Sequence, residues 1–264
     1  MPECPEIASL AKQLDKVLPG KTISKVENHQ EKSLNMTLKD LRKQLISNEI
    51  VAVNAKGKWL RVSMQNGDYL ALNLGMGGEI YYALDHPKVN TKLTFKDQST
   101  LIISFWWFGH VDYVKKDQHH TIDELGYDLI KEDVTFEDFY QFLQTQRGRV
   151  KNVLLDQRKI AGIGNYYIHD ILFNARIHPL SKARDLKHSD VKKLYQVIKR
   201  TFEEAISCRG SFYEQDIYGK KGTYKANKVA YKEGEACPSC QTNIIKMKTG
   251  STTSYLCPSC QKLA

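Results

Sequence analysis

The 264-residue chain has no run of about eighteen apolar residues, so no helix long enough to span a bilayer is expected. Its start also lacks the basic group and apolar stretch of a secretory leader, because Glu3 and Glu6 occupy the first positions. A cytoplasmic protein, nucleoid-associated in a prokaryote, is the expected setting, with no membrane partner. No internal repeat and no low-complexity tract is present. Cysteine is scarce, at six residues. Acid is also in short supply: 30 Asp and Glu face 39 Lys and Arg, a formal charge of +9.

A hydrophobic content of 41% with 10% aromatics supports a buried core. The basic excess favours a polyanionic partner, because each cation placed on a phosphate releases condensed counterions. It is concentrated in two places. Residues 219–232 carry Lys220, Lys221, Lys225, Lys228 and Lys232 with no acid, interleaved with Tyr224 and Tyr231. Residues 147–159 carry Arg147, Arg149, Lys151, Arg158 and Lys159 against Asp156 alone. A solvated face is the competing reading for each cluster.

Hydrophobic periodicity changes along the chain. Ile7, Leu10, Leu14, Val17 and Leu18 fall at helical spacing and predict an amphipathic helix ending near Pro19-Gly20. Residues 58–65 and 69–74 flank Asn66-Gly67, a hairpin signal because both residues tolerate positive φ. Further strand-like runs cover 92–96 and 100–107. These short strands predict a β-sandwich with little helix up to about residue 125. Beyond it the pattern is helical: a helix capped by Thr135 with Asp138 at its third position, another over 150–156, one from Gly164-Asn165 to about Ala175, and a longer one capped by Ser189.

The strongest spacing signal is Cys237-Pro-Ser-Cys240, sixteen residues, then Cys257-Pro-Ser-Cys260. Two C-x-x-C knuckles bring four thiolates to one tetrahedral ion, the pattern of a structural zinc ribbon. Two disulfides are the poorer alternative in a reducing compartment. With four protein ligands, one zinc ion per chain would order a hairpin and leave no open position for catalysis. Cys4 and Cys208 read as buried or inert thiols.

Read in order, Pro2-Glu3-Cys4-Pro5-Glu6, KGKWL (56–60), LGMGG (74–78), IAGIGNYY (160–167) and the terminal cysteine ribbon resemble the formamidopyrimidine-DNA glycosylase and endonuclease VIII family of base-excision repair enzymes. The resemblance spans essentially the whole chain. It implies an α+β multidomain fold: a two-layered β-sandwich catalytic domain over 1–125, a helix–two-turn–helix DNA-binding domain over 126–227, and a zinc finger over 228–264. It implies a monomer acting on damaged double-stranded DNA as glycosylase and abasic-site lyase. Pro2, exposed once Met1 is removed, corresponds to the nucleophile. A free α-amine titrates at about 7.7–8.0, so part of it is neutral at physiological pH. Glu3 is placed as the acid/base partner of the opening sugar, Glu6 beside it to support the amine or the lesion base, and Lys58 near the phosphate and leaving base. Capping of the first helix is the competing reading for both glutamates.

For DNA, the resemblance assigns Met76 to the gap left by a flipped-out base. It assigns Lys151 to phosphate and Asn165 to a helix start suited to phosphate. IAGIGN is not a dinucleotide fingerprint, since the third glycine is missing. Phe108 can wedge into the stack, and Tyr224 lies in the basic stretch as a further DNA contact. Three positions depart from the family pattern. Thr252 stands where the zinc hairpin usually carries an arginine, and Lys246 or Lys248 does not reproduce a guanidinium fork. Trp106-Trp107 precede Phe108-Gly109 where arginines are usual, one of them reading the base opposite the lesion. The pair, and Trp107 as a DNA contact, reads either as a stacking surface or as core. Ala8 replaces a frequent glutamate. These departures point away from cytosine-specific 8-oxoguanine repair. A non-catalytic sensor of abasic sites is the rival reading.

Overall fold

A computed structural model describes residues 1–84, 88–130 and 134–263. The chain falls into two compact units: Met1–Glu124 with Ala205–Tyr224, and Leu125–Glu204 with Lys225–Ala264.

The first unit is a β-sandwich with a helix laid on it. Helix α1 (Cys4–Val17) carries Pro5 in its first turn, where the missing N–H would have no helical partner. Ile7, Leu10, Ala11 and Leu14 are buried, and the chain leaves the helix through Gly20 at φ +83°. One sheet has the order β1 (Ile23–Asn28), β6 (Thr91–Phe95), β7 (Thr100–Ser104), β5 (Glu79–Tyr82). The other runs β2 (Ile50–Lys56), β3 (Trp59–Met64), β4 (Tyr69–Asn73), β8 (His110–Val114). Every pairing in both sheets is antiparallel. Their inner faces share one apolar core that includes Val26, Leu60, Leu72, Phe95, Leu101 and Val111. Helix α1 is tied to β2, where Asp15 Oδ1 accepts from Val53 N–H at 2.7 Å.

Asn66-Gly67 does turn the chain between β3 and β4, with Gly67 at φ +88°. Helix α2 (Leu38–Leu45) interrupts the region read as strand-rich; Thr37 caps it by accepting from Asp40 N–H. The strand expected over 100–107 ends at Ser104. Asn90 Oδ1 accepts from Phe105 N–H at 2.7 Å, and the aromatic run then leaves the sheet. The segment 205–224, assigned from sequence to the helical domain, packs with the sandwich instead. Its Ile217 lies in the sandwich core, accepts from Tyr82 N–H, and donates to Gln13 Oε1.

The second unit holds α3 (Phe136–Thr145), α4 (Val150–Leu155), α5 (Asn165–Ala175), most of α6 (His188–Ser207) and the hairpin β9 (Ile245–Thr249)–β10 (Thr252–Leu256). Thr135 and Asp138 form the expected capping box on α3. Helix α6 begins at His188, one residue before the serine expected to cap it. Phe173 of α5 joins Val229, Cys237, Ile244 and Cys257, which flank the hairpin, in a small apolar cluster against which Tyr255 of β10 packs. Asp170 on α5 organises the approach to it: Oδ1 accepts from Val229 and Ala230 N–H at 2.9 and 3.0 Å, and Oδ2 from Lys228 N–H at 3.0 Å. Asp170→Ala leaves these amides without their acceptor in a buried place. It is expected to lower stability by about 3 kcal/mol or more, read as the shift in chemical-denaturation midpoint, with Asp170→Asn intermediate.

Candidate active site and nucleic-acid surface

The amino terminus is embedded in acid. Glu3 and Glu6 are 5% and 3% exposed. They form a reciprocal capping box at the start of α1, in which Glu3 N–H donates to Glu6 Oε2 at 2.8 Å. The other Glu6 oxygen accepts from Ser211 N–H at 2.8 Å. That approach needs a glycine: Gly210 has φ +87°, and a Cβ there would lie 2.7 Å from Glu6 Cγ. Both glutamates therefore do cap the helix, and the cap is buried rather than on the surface. Pro2 is buried beside them in sequence, and the Met1 ammonium lies 3.3 Å from Glu214 Oε1. Lys58 stands half-buried in the two-residue turn between β2 and β3, where Gly57 takes φ +57°.

A second feature of the same unit is aromatic. Trp106, Trp107 and Phe108 are 57%, 63% and 74% exposed, and Met76 is 43% exposed. Trp106-Trp107 are thus surface, not core. Met76 N–H donates to the Trp107 carbonyl at 2.8 Å and Trp106 N–H to the Met76 carbonyl at 3.0 Å, so two loops form one display. The flanking glycines permit it. A Cβ on Gly75 would fall 2.2 Å from the Trp107 carbonyl oxygen, and one on Gly77 would fall 2.8 Å from the Trp106 ring. The Lys88 ammonium sits 5.0 Å from the Trp106 ring centroid, a cation–π contact. An exposed apolar patch of this kind is what binding surfaces use, and bases stack on such rings whatever their identity. Tyr224, also in this unit, is half-exposed, and its N–H donates to the Gly210 carbonyl at 3.0 Å.

In the second unit, Asn165 is exposed at the first position of α5, capped by Gly164, which brings no side-chain oxygen to the first-turn amides. Such a helix start suits an anion. Lys151 is placed differently from the reading as a phosphate ligand. It is 0% exposed, and its ammonium donates to the Thr253 carbonyl and to Thr249 Oγ1 at 3.4 Å, holding α4 to the β9–β10 hairpin. Thr252 begins β10 and donates to the Thr249 carbonyl at 3.4 Å.

The four ribbon cysteines converge, with sulfur atoms all within 4.8 Å of one another. Cys240 Sγ lies 3.4 Å from Cys257 Sγ, and Cys237 Sγ lies 3.9 Å from Cys260 Sγ. A tetrahedral ion with bonds of about 2.3 Å to sulfur has edges of about 3.8 Å, so this donor set fits such an ion with no open position.

Two family models match the chain: the formamidopyrimidine-DNA glycosylase N-terminal domain over residues 1–142 and the formamidopyrimidine-DNA glycosylase H2TH domain over 125–216. The chain belongs to the formamidopyrimidine-DNA glycosylase family. Formamidopyrimidine-DNA glycosylase of Pelotomaculum thermopropionicum is 33% identical over 275 residues, with 100% of each chain covered. That of Chloroflexus aurantiacus is 31% identical over 279 residues, covering 99% of this chain and 98% of the relative. Among solved structures, Lactococcus lactis Fpg complexed with abasic-site DNA matches with a TM-score of 0.89 at 26% identity, covering 98% of this chain and 99% of that one. MutM (Fpg) of Thermus thermophilus matches with a TM-score of 0.88 at 25% identity, each chain fully covered. The Fpg-like architecture of β-sandwich, H2TH helices and terminal four-cysteine cluster is therefore this chain's own.

Sequence reasoning missed Ser211, Gly210, Glu214 and Asp170 in this Fpg-family chain. A Gly-Ser pair and isolated acids carry no local signal of what they meet.

Burial lowers the Lys151 pKa to about 8. An unfolded chain returns it to about 10.4, so between these values the unfolded state binds more protons and stability rises with pH. Lys151→Met has no such titration. Relative to the variant, the wild-type protein is expected to gain about 2–3 kcal/mol between pH 8 and pH 10.4, measured by urea unfolding at both pH values.

Proposed function

We propose that the protein is a bifunctional DNA glycosylase and abasic-site lyase that removes damaged, chiefly oxidised, bases from double-stranded DNA through its N-terminal proline. The observation that carries this reading is the terminus itself: Pro2-Glu3 held among buried carboxylates by a bond network that reaches across the chain to Ser211. Once Met1 is removed, Pro2 presents a secondary amine. Its lone pair attacks the sugar C1′, the bond from C1′ to the base nitrogen breaks, and the base leaves with that electron pair and takes up the proton that the attacking nitrogen gives up. Glu3 supplies a proton to the ring oxygen as the ring opens, and the amine nitrogen becomes an iminium. This cation makes a C2′ proton acidic; when water takes that proton, its electron pair forms the C2′–C3′ double bond and the 3′ phosphate leaves with the C3′–O pair. Lys58 serves the phosphate and the departing base, and Glu6 holds the terminus in place.

Met76 and Phe108 fill the stack vacated by the extruded nucleotide, whose unstacking costs a few kcal/mol. Trp107 and Trp106 add a stacking surface. The start of α5 at Asn165 takes a backbone phosphate, and Tyr224 in the first unit and Thr252 in the second are further DNA contacts. The four thiolates hold one structural zinc ion that orders the hairpin and takes no part in the chemistry. The protein acts as a monomer in the cytoplasm.

Borohydride trapping on a duplex with an abasic site tests the amine. Protein whose Met1 has been removed is expected to form a covalent adduct through its N-terminal peptide, and protein that retains Met1 is expected to form none; the absence of any adduct with the processed protein would falsify the proline chemistry. The aromatic pair leads to a separate expectation. Indole rings stack on any base, so excision of an oxidised base should vary by no more than about threefold across the four opposite bases. A preference for cytosine of about a hundredfold in single-turnover rates sinks that part of the reading.

A further inference from the structure

Glu214 is not accounted for by the chemistry above. It lies 213 positions from Met1 in sequence, yet its carboxylate meets the terminal ammonium at 3.3 Å, with the Glu214 side chain 16% exposed. Its backbone is held on both sides: Glu214 N–H donates to the Ser211 carbonyl at 3.1 Å, and the Glu214 carbonyl accepts from Gly222 N–H at 3.0 Å. The position of the carboxylate is therefore set by a folded turn in which the Ser211 amide is already bound by Glu6. The groups facing Glu214 are the terminal ammonium, Glu6 on α1 and Glu79 at the start of β5. Glu79 is in turn held by Gln215, whose Nε2 donates to it at 3.0 Å.

We propose that Glu214 is a positioning residue for the amino terminus: its carboxylate anchors the Pro2 amine once Met1 is removed and governs when that amine is free to attack. This rests on the proline reading given above. Removing Met1 takes away the cation now set against Glu214. The new ammonium begins one residue further in, about 3.8 Å along the chain. A largely buried carboxylate flanked by two more acids is costly to leave unpaired, so it recruits that ammonium. Burial raises the Glu214 carboxyl above the usual range, the ammonium opposes this, and Glu6 and Glu79 add to it. The Glu214 carboxylate is thereby a better proton acceptor than an exposed glutamate. When the proton passes from nitrogen to the carboxylate, both groups become neutral and the nitrogen lone pair is released, with no further reactant.

The test is the pH dependence of N-terminal amine acetylation, read by peptide mass spectrometry on the full-length protein with Met1 removed. Glu214→Gln removes the charge and is expected to move the midpoint about one pH unit lower, whereas Glu214→Asp stays near wild type. Glu214→Ser carries the same expectation as glutamine and covers a glutamine variant that does not fold. Midpoints for Gln and Ser that coincide with wild type overturn the proposal, including when borohydride trapping slows uniformly at every pH, which is the mark of a structural role alone. Trapping separates the two readings. A shifted midpoint without any adduct supports the anchor and defeats the proline chemistry, while an adduct with an unshifted midpoint defeats the anchor alone.

Discussion

One carboxylate does more to organise this protein's site than any other group. Glu6 places one oxygen on the amide of Glu3 and the other on the amide of Ser211, both at 2.8 Å. The first bond defines where α1 begins and so fixes the direction in which Pro2 emerges. The second draws the segment after α6 onto that helix start. A carboxylate 3% exposed is tolerable only because donors meet both of its oxygens, and Gly210 leaves the space they need. Without this bridge, the segment carrying Glu214 and Ile217 has less reason to lie on the sandwich, and the terminus loses its surroundings.

Backbone bonding has a parallel role at the aromatic loop. Three neighbouring aromatic rings on a surface are a liability unless they serve contact. Here their exposure is built in by backbone, since the Met76 and Trp106–Trp107 hydrogen bonds and the crowded glycines leave the rings nowhere to fold back. The display is thus held by the chain's own backbone, which leaves little ordering cost for a partner that stacks on it. In the second unit, buried polar groups set the hairpin: Asp170 gathers successive amides ahead of the cysteines, and Lys151 holds the strands to α4.

Part of the fold is visible in local chemistry. The Thr135–Asp138 capping box, the helix from Asn165 to Ala175, the turn at Asn66-Gly67 and the cysteine spacing each state a local preference that the tertiary structure obeys. The failures are equally specific. The run 100–107 has strand composition to its end, but Asn90, fifteen residues before Phe105, captures that amide and turns the aromatics outward. Lys151 has the composition of a surface cation beside Arg147 and Arg149, yet it is internal, because the hairpin that covers it comes about a hundred residues later in the chain.

The family, the sandwich-then-helix order and the thiol set of the ribbon are legible in the chain alone, because they depend on residue type, period and short spacing. The burial of the glutamate cap, the packing of segment 205–224 with the sandwich, the internal place of Lys151 and the meeting of Glu214 with the amino terminus all come from folding. Each of these is a contact between residues roughly a hundred to two hundred positions apart, and the burial that gives such a contact its energy exists only once the chain has closed.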